Sequence, residues 1–381
     1  MVRLILVMIF GMVIGFLPTF AEDIVNLDVK GVGAKNITAF DRVGERKVGG
    51  YFDTEYFMMK DGTRTFKAHR FILQASSQVH ERVFVNSEIE FEYGAKIEAG
   101  GPSTDEGEIK IEQAWVDYSL NDNHYLRAGI VLVPFGIVNI LHDSDVRDTT
   151  QRPLYAKYVV PSTWMDTGVG AHGTFDVGEM EFNYEGYMVN GLAGSGASST
   201  KGIRNLRPNF KKDNNDSAAM TARLGFSPIQ GLELGTSTYI GKYDEANNGL
   251  TMMGLDLFWK KGPFELVSEW AKVDIDATAG NPSGINGYYV ETRYHFFPSF
   301  LKNSLFASGF SHPTFTLFAR YGAVDLNEDD VNTGDQSRIA LGINYRPTET
   351  VVLKLEAQRG SKEGDAKKKE SGFISSVAIG F

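Results

Sequence analysis

The amino-acid sequence predicts an all-β protein, a transmembrane antiparallel β-barrel of about sixteen strands. Three observations predict it. Apolar and polar residues alternate with period two in segment after segment, which puts the two sets on opposite faces of a strand. Past residue 21, no apolar run approaches the roughly 18 residues of a spanning helix. Aromatic residues gather at segment ends: Tyr51 and Tyr56, Trp164, Trp259, Trp270, Tyr288 and Phe296, and Tyr345. That is where the interfacial girdles of a barrel stand. In a soluble sandwich the apolar face would be the core; with girdles it faces lipid, and the polar face lines a wet lumen.

Composition narrows the function classes. The 381 residues include 41 glycines and 12% aromatics, a strand-and-turn composition. There is no cysteine, which removes a disulfide framework, a thiolate metal site and a cysteine nucleophile. The net charge of -10 argues against a nucleic-acid partner. An exported chain without cysteine fits a bacterial envelope component.

Residues 1–21 read as a signal peptide. Arg3 supplies the positive start, Leu4 to Leu17 is apolar, Pro18 breaks the run, and Thr19 and Ala21 are small residues at the cleavage positions. The run is shorter than the about 20 residues that a spanning helix needs. Residues 22–46 form a pre-barrel segment with no assigned structure, and 47–381 form the barrel.

Strands are expected at 47–58, 66–77, 82–95, 106–120, 123–133, 164–176, 178–190, 217–227, 230–241, 250–260, 263–275, 285–296, 314–324, 336–346, 350–359 and 371–381. Each is near the roughly 9–11 residues that a tilted strand needs to cross a bilayer. The third is clear: Phe84, Asn86, Glu88, Glu90 and Glu92 alternate with Val83, Val85, Ser87, Ile89 and Phe91. In the fourth the phase slips near Ala114, as a β-bulge would cause. The seventh sets Met180, Phe182 and Tyr184 against Glu181, Asn183 and Glu185, and the twelfth sets Tyr288 and Val290 against Glu291 and Arg293. The fourteenth and fifteenth put Ile339, Leu341 and Ile343, then Leu353 and Leu355, on the apolar face. Connections alternate as a barrel demands, brief at 121–123, 176–179, 228–231, 261–263 and 347–349, and longer at 95–106, 134–161, 191–216, 325–335 and 360–370. The exception is 297–313, a long connection where a periplasmic turn is expected; a short helix would account for it.

Several stretches carry a resemblance. The last strand ends on Phe381, like the terminal aromatic of bacterial outer-membrane proteins. KVGGYFDTEY (Lys47–Tyr56) resembles the opening strand of the phosphate-selective porin O/P family, and LRAGIVLVPFG (Leu126–Gly136) resembles its fifth strand and the entry to its constriction loop. His69–Gly94 and His142–Gly170 are similar to envelope members of the same group. The resemblance spans most of the mature chain. It implies a sixteen-stranded, homotrimeric outer-membrane porin whose third external loop folds inward and narrows the pore. Its partners would be outer-membrane lipid, lipopolysaccharide and small hydrophilic solutes.

Charges on the lipid face would cost about 2–4 kcal/mol for a midplane Lys or Arg, so the charged wall phase is assigned to the lumen. Arg70, Arg82, Lys110, Arg127, Glu88, Glu90 and Glu112 belong to it. The constriction loop 134–161 carries His142, Asp143, Asp145, Arg147, Asp148, Arg152 and Lys157, which could set a transverse field across the pore. The expected pore-lining set is Arg70, Glu88, Glu90, Arg127, Asp143, Asp145, Arg147, Asp148, Arg152 and Lys157. These charges equally suit a merely solvated wall and a loop tied by salt bridges. The acidic surplus shows no anion ladder, so general diffusion of small hydrophilic solutes with a weak cation preference is expected. A phosphate- or anion-selective porin and a non-conducting adhesin or anchor are the alternatives. No cofactor, metal site or catalytic constellation is expected. His142 and Asp145 read as loop polarity. Asp325-x-Asn327-x-Asp329 fails as a calcium loop, because Asp330 stands where glycine is needed.

Overall fold

The computed structural model describes residues 43–60, 62, 64–94, 107–208, 210, 212–278, 280–330, 333–362 and 371–381. The expected signal peptide, nearly all of the pre-barrel segment, and the connections at 95–106 and 363–370 lie outside the described residues.

Sixteen strands follow the predicted order: β1 (Arg46–Met59), β2 (Thr65–His80), β3 (Val83–Glu92), β4 (Ile109–Asn121), β5 (His124–Leu132), β6 (Met165–Val177), β7 (Met180–Val189), β8 (Ala219–Ile229), β9 (Leu232–Lys242), β10 (Gly249–Lys261), β11 (Phe264–Ile275), β12 (Gly284–Phe296), β13 (Thr314–Asp325), β14 (Gln336–Thr348), β15 (Val351–Lys362) and β16 (Ser371–Gly380). Each pairs antiparallel with its chain neighbours, and β1 pairs with β16, so the sheet closes without an edge. Beyond the last strand, the Phe381 N–H donates to the Gly50 carbonyl and the Gly50 N–H donates to the Phe381 main-chain oxygen, completing the seam.

Alternation sorts the two faces as period two requires. On β15, Leu353 and Leu355 are exposed while Val352, Lys354, Glu356 and Gln358 are buried. On β3, Phe84, Asn86, Glu88 and Glu90 are buried. The phase slip in β4 is a bulge: Glu88 pairs with Gln113 and Ile89 with Ile111, leaving Glu112 unpaired. Glu112, Trp115 and Asp117 therefore share the inner face although their spacing is odd. A second bulge lies in β2, where Asp53 pairs with Arg70 and Thr54 with Ala68. It turns both His69 and Arg70 inward.

The long connection 297–313 is a turn of the barrel, with a 3₁₀ turn at Ser299–Leu301. Its Phe306 ring stands 6.0 Å from Phe315 and 5.3 Å from Tyr345, on the apolar outer face.

Three expectations are corrected. Tyr51 and Trp164 are not girdle residues; both are buried within, and Trp164 packs on Tyr239 at 5.1 Å. Arg82 sits in the exposed β2–β3 turn rather than in the wall. The inner wall is not uniformly ionic. Tyr239, Met252, Val267, Val273, Ile285 and Tyr289 form a buried apolar cluster with Phe135, Ile137, Leu154, Val159, Leu192 and Leu206 of the long connections. Connecting segments supply an apolar face that strands β9–β12 cover, so both sides leave water.

Candidate functional site

The site is built on the segment joining β5 to β6. It carries two short helices, α1 (Gly136–Ile140) and α2 (Leu154–Tyr158). Gly136 starts α1 at φ +68, and a side chain there would run into the Glu269 carboxylate. That carboxylate instead accepts the N–H groups of Ile137 at 3.0 Å and Val138 at 2.9 Å. Gly136 N–H donates to Ser237 Oγ at 3.1 Å.

Further along, wall side chains bind the segment's backbone. Lys354 Nζ donates to Ser144 O at 2.6 Å and Arg346 Nη1 to Asp145 O at 2.7 Å. Asn344 Nδ2 donates to Asp148 O at 2.7 Å, and Arg320 Nη2 to Gln151 O at 2.7 Å. Thr150 N–H donates to Glu356 Oε2 at 2.9 Å. On the other side His142 Nε2 lies 3.1 Å from Glu112 Oε2. Buried main-chain groups must be satisfied, and here the wall's own charges satisfy them.

The expected pore residues hold the segment, pair along the wall or face the cavity, and Arg70 and Arg147 do two of these. Arg147 is a staple: its guanidinium donates to the carbonyls of His142 at 2.8 Å and Thr150 at 2.9 Å. Asp148 is an anchor, 3.3 Å from both Arg293 and Arg346, and the Asp145 carbonyl receives Arg346. Arg127 grips Asp117 bidentately at 2.7 Å and lies 3.8 Å from the centre of the Trp115 ring. Glu88 accepts Gln113 at 2.6 Å, Glu90 holds Arg70 at 2.9 Å, and Asp143 lies beside His142. Arg70, Arg147, Arg152 and Lys157 face one open cavity of about 710 Å³, bounded by β1–β3, the long connections, β14, β15 and the start of β16.

The cavity adds cations that the alternation did not single out. Its charged lining is Lys67, Arg70, Arg147, Arg152, Lys157, Arg204 and Arg338, with His69, against Glu55 and Glu92. Lys67 and His69 were hidden by the β2 bulge, since counting back by twos from Arg70 lands on the outer face. Arg204 comes from the 191–216 connection, which alternation cannot describe. The acidic surplus lies elsewhere, mostly in pairs. Arg223 takes Glu233 at 2.7 Å and Asp256 at 2.6 Å, and Arg293 takes Glu265 and Glu291.

Within the segment the charges are strongly conditioned. Burial alone would raise the Asp148 carboxyl, but Arg293 and Arg346, then His295 and Lys354, outweigh it and hold it well below the usual carboxylate range. Burial, with Arg70 and Arg147 behind it, lowers Arg152 to about 9, which leaves it charged at neutral pH. A carboxyl held below its unfolded value stabilises the fold above that value and loses its effect as pH falls through its own lower pKa. Asp148→Asn should therefore cost backbone exchange protection in 144–150 equally at about pH 7 and about pH 4, the difference shrinking only at lower pH. A difference that vanishes by about pH 5 would contradict the anchor.

Comparison with known proteins follows the same outline. The model of the family described as phosphate-selective porin O and P matches residues 49–373. A protein of Aquifex aeolicus (strain VF5), described as uncharacterized, is 27% identical over 358 residues, covering 87% of this chain and 78% of that protein. Among solved structures, the trimer form of Vibrio cholerae OmpT superposes with a TM-score of 0.57 at 10% identity, covering 89% of this chain and 100% of that one. An anion-selective porin from Comamonas acidovorans gives 0.55 at 11% identity, covering 88% and 98%. The outer membrane channel DcaP of Acinetobacter baumannii gives 0.52 at 12%, covering 88% and 96%. At such identities these likenesses speak for the fold.

Proposed function

The chain belongs to the phosphate-selective porin O and P family, outer-membrane channels for passive diffusion, and we propose that its own passage favours small anions, phosphate among them. The cavity lining carries the reading: seven Lys and Arg side chains against two glutamates. An aqueous constriction lined by one sign of charge concentrates the opposite sign and repels its own. The weak cation preference expected from the overall acidic balance gives way, because selectivity follows the charges beside the path and not the sum over the chain. The test is the reversal potential of the purified protein in a planar bilayer under a potassium chloride gradient, repeated with phosphate. An anion-side potential is expected; a cation-side one would refute the reading.

The segment 134–161 is the constriction in this reading. What supports it is that the segment is bonded to β4, β9 and β11–β16, walls on different sides of a closed sheet. Arg152 and Lys157 stand at the passage, with Arg70 facing them from the wall; Arg147, Asp145 and Asp148 hold the segment in place. Deleting Asp143–Arg152 is expected to raise single-channel conductance. Unchanged conductance would place the segment away from the ion path.

The Vibrio cholerae porin has a trimer form, and the same assembly is proposed here, with lipid and lipopolysaccharide around its rim. Light scattering in detergent would test it, a monomer mass speaking against.

A further inference from the structure

We infer that the junction between this loop and the β3–β4 wall binds one divalent transition-metal cation, ligated by Glu88, Glu112, His142 and Asp143. One ligand atom each from Glu88, His142 and Asp143 lies within 4.8 Å of the others. Ligands across a metal bound at about 2.0–2.2 Å stand up to about 4.4 Å apart, so bringing these three onto one ion takes shifts of a few tenths of an ångström, with Glu112 joining from beside His142.

The histidine points to the ion. His142 Nδ1 lies 3.0 Å from the Asn139 carbonyl oxygen, which can only accept, so Nδ1 carries a proton. In the neutral ring Nε2 then presents a lone pair. It faces Glu112 Oε2 at 3.1 Å and Asp143 Oδ1 at 3.5 Å, two further acceptors. Three acceptors converge on a point that needs positive charge, either a second ring proton or a metal ion. An Nδ1–H fixed on a carbonyl is also how metal-ligating imidazoles are oriented.

The carboxylates supply a second, independent observation. Asp143 Oδ1, which faces this point, has no hydrogen-bond partner among the described residues, while the fully buried Glu112 turns Oε2 to His142 and its carboxyl also meets that of Glu90. Arg70 bonds Glu90 and Glu92 instead. A carboxylate oxygen out of water without a partner is costly, and a cation at this point would relieve that of Asp143. In the neighbouring trio Asp53, Glu55 and His69, Asp53 Oδ1 is likewise without a partner, but His69 Nδ1 faces Asp53 Oδ2 at 2.8 Å and can donate there.

One imidazole nitrogen with carboxylate oxygens suits Zn²⁺ or Mn²⁺. The ion would clasp the loop to β3 and β4, across from the tethers to β13–β16. The experiment titrates the purified, chelator-treated chain in detergent with Zn²⁺. One tightly held Zn²⁺ per chain is expected, weakened at least about tenfold by His142→Asn and by Glu112→Gln. Heat-modifiable migration checks that each variant keeps the barrel; if either fails, Glu88→Gln and the more exposed Asp143→Asn serve, with the same weakening expected. Zn²⁺ should also quieten open-channel current noise in the wild type and not in His142→Asn. No stoichiometric binding would overturn the site, and so would equal affinity in the variants, which would place the ion elsewhere.

Discussion

Reversing two charges on the 134–161 segment, Arg152→Glu with Lys157→Glu, is expected to move the proposed anion preference toward cations. Both side chains line the cavity, one at the entry to α2 and one within it. A unit charge at about 6 Å in water contributes about 0.7 kcal/mol to a passing ion. Two reversals change that field by several such steps, while salt near 0.1 M screens over about 10 Å. A fall of about tenfold in the anion-to-cation permeability ratio follows at about 0.1 M salt, shrinking toward about 1 M as screening tightens. The measurement is the reversal potential at both salt concentrations. A ratio unmoved at low salt would mean that ions pass elsewhere, and the cavity would lose its claim to be the path.

The barrel was legible in the sequence because its dominant force acts residue by residue. Each strand must show lipid one face and the lumen the other, and that demand is written as period two along Val83–Glu92 or Val351–Gln358. The bulge at Glu112 was visible for the same reason, as a phase slip. The bulge at His69 went unread, although Phe66 and Phe71, five positions apart, both stand outside and so carry the same kind of phase slip. Selectivity was harder to read. Alternation tells which face a charge occupies but not whom it meets there. Glu233 and Asp256 look like a cation-attracting surplus until register brings both to Arg223. Trp164 and Tyr51 misled in a related way: strand-end aromatics suit a girdle, but these two are buried within. What a connection does inside a closed sheet depends on contacts between residues far apart in the chain. The tethers from Ser144, Asp148 and Thr150 reach about two hundred positions ahead.

The Arg223 network should govern stability more than any other single side chain on the wall. Arg223 is 4% exposed and donates to Asp256 at 2.6 and 3.1 Å, to Glu233 at 2.7 Å and to Asn183 at 3.2 Å. Glu233 and Asp256 are as deeply buried. Arg223→Ala removes the cation and leaves two carboxylates facing each other out of water, an effect of about 3–5 kcal/mol. The readout is the temperature or urea concentration at which the folded, fast-migrating form is lost on a gel. Lost hydrogen bonding and stranded charge are separable causes. Arg223→Met combined with Glu233→Gln and Asp256→Asn deletes the same salt bridges without leaving a charge behind, and neutral replacement of a buried ionic set is commonly near neutral in stability. The triple variant should therefore recover most of what the single variant loses. Equal losses in both would mean that the guanidinium acts through its packing and hydrogen bonds. The wall's acidic surplus would then be tolerated by water in the lumen rather than neutralised by its neighbours, and the case for a cavity field set by the loop's cations would have to include Glu233 and Asp256 as free charges.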